Sequence, residues 1–391
     1  MNNSMIFLQA LEGVDAGFVA QAKPGKAKKR TVFCSAVATA ACIALLLTVL
    51  PKNPGTAPGG VSLQSAVGTK PTEPTETTIL VDPPEPPVIE KVASKLPMLK
   101  TSGGGAWAYM AYDVSEIVHN QSWSTDAITT LPVYRNLWVR DGAGMPPEMD
   151  ATRREMLIQQ VAQQLEELAV DAEIRVEDGY CVTVIFADSI EIPDAYKASY
   201  FSDYKQVQAM ATYLLDTYGD VFGLESPVTD IWGGDRYYDG QQTYHIRYYE
   251  GAGTDTQQLI ERNFQSVGIT WDENGNWRGL SFNNIDLSEK VADYELITVE
   301  QAQERLYQGY FTCSFAPAEM RVGRKMCDVE LMYYTSGFGD YFIPYYKILL
   351  EAEDEWFVGE SELGLKTYVV YLVPAIDLDA YCELTGAQIL E

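Results

Sequence analysis

The sequence predicts an α+β protein in which a single N-terminal transmembrane helix and a disordered stalk precede antiparallel sheets with packed helices. Three observations carry that prediction. Thr31 to Leu50 is a run of twenty residues without a charge, and at about 1.5 Å per residue a helix of that length spans the roughly 30 Å hydrocarbon core of a bilayer. All seven Trp and all 25 Tyr lie beyond residue 100, so the aromatic material for a packed core begins there. Beyond that point, apolar stripes at helical spacing alternate with paired runs of strand character.

In chain order, residues 1–30 form a cytoplasmic tail with a short amphipathic segment. Phe7, Leu11, Val14 and Phe18 recur at intervals of four, three and four, which places them on one face of a helix. Gly13 and Gly17 each cost about 1 kcal/mol relative to Ala in a helix interior, so the segment is not expected to fold alone. Such a face either lies on the inner leaflet or docks into a groove of a cytoplasmic protein, and these four residues are taken as partner-binding. Residues 31–50 form the span. Lys23, Lys26, Lys28, Lys29 and Arg30 stand just before it, whereas Lys52 alone follows within nineteen residues. The positive-inside rule therefore puts the N-terminus in the cytoplasm and the bulk of the chain outside the cell membrane. The run is longer than a signal-peptide core, and Leu50-Pro51-Lys52-Asn53-Pro54 offers no small-x-small cleavage site, so the span is read as an uncleaved anchor.

Residues 51–100 hold ten of the nineteen prolines and no aromatic residue, including Pro71-Thr-Glu-Pro74 and Pro83-Pro-Glu-Pro-Pro87. They cannot bury enough apolar surface to offset ordering, so a disordered, semi-extended stalk is expected. At about 3.1 Å per residue of polyproline II, it reaches at most roughly 150 Å, a span suited to a cell wall. Beyond residue 50 the chain carries 23 basic and 53 acidic residues, a net charge of −30. That surface repels nucleic acid and anionic headgroups and favours basic or neutral partners.

Two outer α+β lobes are expected, at 101–225 and 226–391. Leu157, Ile158, Val161, Leu165 and Leu168 make a helical stripe starting at Asp150, and Val207, Met210, Ala211, Leu214 and Tyr218 make a second that ends at Gly219. Val267 to Trp271 and Trp277 to Phe282 read as strands joined through Asn274-Gly275, and Asp239-Gly240 precedes the strand Thr243 to Tyr249. Thr298-Val-Glu-Gln301 is a capping box opening a helix that runs to Tyr307. Strands follow at Cys327 to Tyr334, Tyr341 to Leu350 and Tyr368 to Ala375. Pro344, which has no N–H to donate, is expected at an edge or bulge.

The order "LITVEQAQERLY", "DVELMYY", "YFIPYYKI" and "YVVYLVPAID", over residues 297 to 377, resembles the C-terminal half of the membrane-anchored accessory regulators of the WalK sensor kinase, the YycH and YycI type of Gram-positive bacteria. The resemblance implies a single-pass protein whose outer PepSY-like α+β units act by contacting a sensor kinase rather than by chemistry. The inner segment also resembles the tails of membrane-bound anti-sigma regulators, which implies a cytoplasmic transcription factor as partner.

Catalytic signals are sparse: no HExxH, GxSxG, Walker loop or GxGxxG occurs, and His119 and His245 are the only imidazoles. His245 shares a strand face with Thr243 and Arg247 and reads as a solvated surface residue. Asp272-Glu-Asn-Gly-Asn276 resembles the opening of a calcium loop, but its glycine falls at the fourth position and Asn283 stands where the bidentate acid belongs, so it reads as a hairpin turn. Cys181, Cys313, Cys327 and Cys382 allow three disulfide pairings, and spacing leaves open whether any forms. No catalytic, cofactor-binding or metal-binding residue is therefore assigned, and the chain is expected to be a non-catalytic envelope regulator that binds a protein partner. The alternative is a surface-tethered glycan-binding protein or hydrolase of the cell wall. Arg236-Tyr-Tyr238 and Tyr248-Tyr249 would supply its stacking rings, although core packing explains them as well.

Overall fold

The computed structural model describes residues 91–390, apart from 100–107, 120–124, 142–143, 178–180, 238, 314–318, 322–325 and 353–362. The tail residues Phe7, Leu11, Val14 and Phe18, the apolar run Thr31 to Leu50 and the stalk up to residue 90 lie outside the described residues. Among those described, no helix is long and apolar enough to cross a membrane.

Sixteen strands and five α-helices follow one another among the described residues: β1 (Lys91–Ala93), β2 (Ala108–Ala111), β3 (Val118–His119), β4 (Thr130–Arg135), α1 (Ala151–Leu165), β5 (Ala172–Glu177), β6 (Cys181–Ile190), α2 (Tyr204–Tyr218), β7 (Pro227–Arg236), β8 (Gln242–Glu250), α3 (Asp255–Phe264), β9 (Gln265–Trp271), β10 (Trp277–Asn284), β11 (Lys290–Glu295), α4 (Val299–Tyr307), β12 (Glu319–Arg321), β13 (Met326–Tyr333), β14 (Tyr341–Phe342), β15 (Pro344–Glu351), β16 (Lys366–Pro374) and α5 (Leu378–Thr385). The fold is α+β. Its main sheets are a seven-stranded one in the order β3-β7-β8-β9-β10-β6-β5 and a four-stranded one in the order β13-β15-β16-β2, with β11-β4-β14 and β1-β12 as smaller sheets. The seven-stranded sheet takes strands from both sides of residue 225, so the two lobes drawn from sequence share one sheet.

Local sequence explains the element ends. Asp150 caps α1 by accepting from the backbone N–H of Thr152 (3.0 Å) and Arg153 (3.1 Å), the role its short carboxylate suits. Thr298 and Gln301 close the capping box of α4, with Thr298 N–H donating to Gln301 Oε1 (2.9 Å) and Gln301 N–H to Thr298 Oγ1 (3.2 Å). The end of α2 differs from expectation. Gly219 keeps a right-handed φ of −56° and passes the chain into a short 3-10 turn. The left-handed cap falls four residues later at Gly223 (φ +68°), because Val221 and Phe222 must first turn into the core.

Pro344 also departs from its expected place. It opens β15, which lies inside the four-stranded sheet between β13 and β16. A missing donor is tolerated at the first residue of a strand. Here the chain leaves β14 in one sheet and enters β15 in another, with the Pro344 carbonyl accepting from Ala375 N–H at 2.9 Å.

Two helices cover one face of the seven-stranded sheet. Val161 and Leu165 of α1 and Val207, Met210 and Leu214 of α2 pack on Val184, Phe186, Ile246, Tyr248 and Val267. Trp277 is fully buried there, edge-on to Phe186 at a centroid distance of 5.1 Å. Burial of each such side chain contributes about 1.5–3 kcal/mol. The four-stranded sheet is packed on both faces, with Ile348, Tyr371 and Val373 in one core and Leu349, Val370 and Leu372 in the other.

A chain of buried charges links the two large sheets. Asp230 of β7 accepts from Arg247 Nε at 2.5 Å and from Arg262 Nε of α3 at 2.9 Å. Arg262 continues to Glu330 of β13 at 2.5 Å, and Glu330 to Lys347 of β15 at 3.2 Å. Burial alone would pull the Arg262 and Lys347 pKa values down, but the carboxylates beside them more than offset it and hold both up. Asp230 Oδ1 is buried without a hydrogen-bond partner among the described residues, a group of the kind that costs about 1–3 kcal/mol. Five charges, three of them cations, thus fix the seven-stranded sheet, α3 and the four-stranded sheet in one arrangement.

Candidate functional site

The sequence between β6 and α2 is rich in aromatics and serines, and it lies against the tip of the β7–β8 hairpin. Four large aromatic side chains stand exposed there: Phe201 (66 % exposed), Tyr200 (48 %), Tyr237 (46 %) and Tyr196 (39 %). Exposed apolar residues scattered singly are ordinary, whereas several exposed rings on adjoining turns offer large contact area at low conformational entropy.

Backbone and small polar groups brace this cluster. Ser199 N–H donates to Ser202 Oγ (2.8 Å) and Phe201 N–H to Ser199 Oγ (3.2 Å), which holds Tyr200 and Phe201 at the apex of a tight turn. Gln206 of α2 reaches back to donate to the carbonyls of Lys197 (2.7 Å) and Ala195 (3.2 Å). Gln242 N–H, opening β8, donates to the Tyr200 carbonyl at 2.6 Å. Gly275, at φ +78° in the β9–β10 turn, approaches so closely that a Cβ there would sit 2.7 Å from the Ala198 carbonyl. The loop is therefore held in one conformation by its own hydrogen bonds and by close packing on the β9–β10 turn. Tyr196 adds a stacked contact with Tyr213 of α2, with ring centroids 4.7 Å apart.

Charge flanks the rings. Arg236, at the end of β7, pairs with Glu116 (2.8 Å) and lies 5.0 Å from the centre of the exposed Tyr112 ring. The Glu116 carboxylate holds the Arg236 guanidinium charged. Tyr244, just inside the tip, has its hydroxyl pushed up to about 12 by burial and then by Glu116, so it stays neutral at physiological pH. One strand-pair further along, His245 stacks on Trp232 with centroids 4.1 Å apart. His245 is exposed, as its strand position predicts, and the groups packed around it, then the Arg247 charge, push its pKa down from the usual imidazole value.

The other residues singled out from sequence are placed as follows. Tyr248 and Tyr249 are buried in the core, whereas Tyr237 is exposed at the tip. Asp272 closes the β9–β10 turn, accepting from the N–H groups of Asn274 (2.8 Å) and Asn276 (3.0 Å). Cys181, Cys313, Cys327 and Cys382 are thiols. Among the described residues, no group of three or more His, Cys, Asp or Glu side chains is placed to hold a metal. Tyr196, Tyr200 and Phe201 escaped the sequence reading. Their signal was two adjacent rings in a segment bounded by Pro193 and the helix cap Asp203, without the periodicity of either a strand or a helix.

No protein-family model matches the chain, and no curated protein matches it. Among solved structures, the chain is similar to a crystal structure of an uncharacterised protein from Eubacterium rectale, at 9 % identity over 64 % of this chain and 84 % of that one, with a TM-score of 0.29. A likeness at that level carries no argument about fold or role.

Proposed function

We propose that this chain is a membrane-anchored regulatory protein of the Gram-positive envelope, held by residues 31–50, whose outer domain of PepSY-like or YycI-like lobes docks a protein partner through the aromatic tip and performs no catalysis. The observation that carries the reading is the braced cluster of Phe201, Tyr200, Tyr237 and Tyr196. Rigid, exposed rings are what binding hot spots are made of. The charge of −30 beyond residue 50 selects a partner whose facing surface is basic. The extracytoplasmic part of a sensor kinase is such a partner in this reading, and the tail residues Phe7, Leu11, Val14 and Phe18 would carry the state inward to an anti-sigma-type or other cytoplasmic regulator.

A photo-crosslinking residue at position 201 in intact cells tests the docking surface. The expected product is one dominant adduct with a membrane protein, absent when the crosslinker stands at position 155 on the exposed side of α1. Equal adducts from both positions would refute the surface. Protease shaving of whole cells tests the anchor, with removal of the outer domain expected. Its survival where other surface proteins are stripped would contradict the orientation.

A further inference from the structure

A cavity of about 380 Å³ opens between α1 and the ends of β9 and β10, away from the aromatic tip. That size lies within the range of small-molecule sites, about 300–1,000 Å³. Its floor is apolar: Leu157 and Val161 of α1, Phe222, Val267, Phe282 and Ile285. Its rim is not. Gln160 and Gln164 stand on α1, Gln265 and Ser266 open β9, and Asn283 and Asn284 end β10, where the pairs Gln265–Asn284 and Ser266–Asn283 face each other across the ladder.

Most of these amides are uncommitted. The side chains of Gln160, Gln164, Gln265 and Asn284 make no hydrogen bond among the described residues, while Asn283 Nδ2 reaches Ser266 Oγ only at 3.5 Å. Gly223 (φ +68°) lies so close that a Cβ would sit 2.4 Å from Gln164 Nε2, so the backbone there backs the amide directly. Each amide offers both donors and an acceptor, a pairing that serves neutral groups carrying both, such as vicinal hydroxyls.

The charged groups narrow the ligand further. Arg153 pairs with Asp286 across the mouth at 3.5 Å, and Asp286 also accepts from Ser288 N–H at 3.0 Å, so that ion pair is satisfied within the protein. Glu261 remains as the third charged residue of the lining, on α3. With the pair cancelled, the lining carries one negative charge in an acidic protein. Phosphates, carboxylates and other anions are thereby disfavoured.

We infer that this cavity is a binding site for a neutral carbohydrate, whose hydroxyls are held by the amide rim of Gln160, Gln164, Gln265 and Asn284 and whose apolar ring face lies on Leu157 and Phe282. The site is separate from the aromatic tip and does not depend on the docking reading.

The test uses the full chain in a detergent without a sugar headgroup, titrated with maltotriose and with triacetylchitotriose and read by saturation-transfer NMR and by affinity. Saturable binding of at least one trisaccharide is expected. Its affinity should fall about ten-fold in Gln164→Ala and again in Asn284→Ala, one lost hydrogen bond of about 1.4 kcal/mol each. Asn284 is exposed and Gln164 half-buried, and unchanged unfolding midpoints will show that the variants are folded. Phe201→Ala should bind as the wild type does. Absence of saturable binding at millimolar sugar would overturn the assignment, as would binding that ignores both cavity substitutions or that disappears in Phe201→Ala.

Discussion

The four-stranded sheet is packed on both faces, whereas the seven-stranded sheet is packed along one face and is closed on the other only where Asp230, Tyr249 and Ser266 meet α3, its outer strands β5 and β6 carrying half-buried and exposed residues there. The contrast is written along the strands. In β16 every residue after Lys366 is buried, a continuous apolar run, while β6 alternates buried Val182, Val184 and Phe186 with half-buried Cys181, Thr183 and Ile185. Both sites described above, the aromatic tip and the amide-rimmed cavity, lie along the seven-stranded sheet.

The largest effect is expected where the two sheets are joined. Arg262→Met removes the cation shared by Asp230 and Glu330 and leaves both carboxylates buried, which should cost about 3–5 kcal/mol. Urea unfolding measures it. A loss below 1 kcal/mol would show that the joint is not what fixes the sheets together. The two kinds of sheet should then differ between themselves. Leu372→Ala in β16 should cost about 2–5 kcal/mol, as large-to-small changes in a closed core do, whereas Thr183→Ala on the open face of β6 should stay within about 0.5 kcal/mol. Similar costs at both sites would erase the contrast.

Much of this contrast is legible in the sequence. The strand at Tyr368 to Ala375, the capping box at Thr298 and the turn glycines at 240 and 275 are all local signals, and each falls where its pattern places it. What sequence could not supply is long-range. Nothing local says that Asp230, Arg262 and Glu330, spread over a hundred residues, converge on one point. The shift of the α2 cap from Gly219 to Gly223 and the placement of Pro344 inside a sheet were equally hidden, because tertiary packing decides both. The aromatic tip was missed because its residues follow no period. The cavity was missed because its rim draws amides from three segments that meet only in the fold.

Smaller effects sharpen the account. Thr298→Ala should lower stability by about 1 kcal/mol through loss of the α4 cap, with Thr298→Ser restoring most of it. His245 gives a pH signature by the direction of its shift, its energy being screened because the side chain is exposed. Its pKa is lower in the fold than the 6.5 of the unfolded chain, so the stability it contributes is present above pH 6.5 and is lost as pH falls below it. An NMR titration of the imidazole should give a midpoint below 6.5, and Arg247→Gln should raise it. A midpoint at or above 6.5 would mean that neither its packing on Trp232 nor the Arg247 charge acts on the ring.

The central claim is that the braced rings at the β7–β8 tip serve contact with another protein and not the stability of the fold. It is tested most directly by measuring, in one Tyr200→Asp, Phe201→Asp double variant, both the urea unfolding midpoint and the affinity for the protein identified by crosslinking from position 201. The account predicts a midpoint close to that of the wild type together with at least a hundred-fold loss of affinity, the roughly 2.7 kcal/mol expected of a hot spot. Unimpaired affinity in a normally folded variant would contradict it.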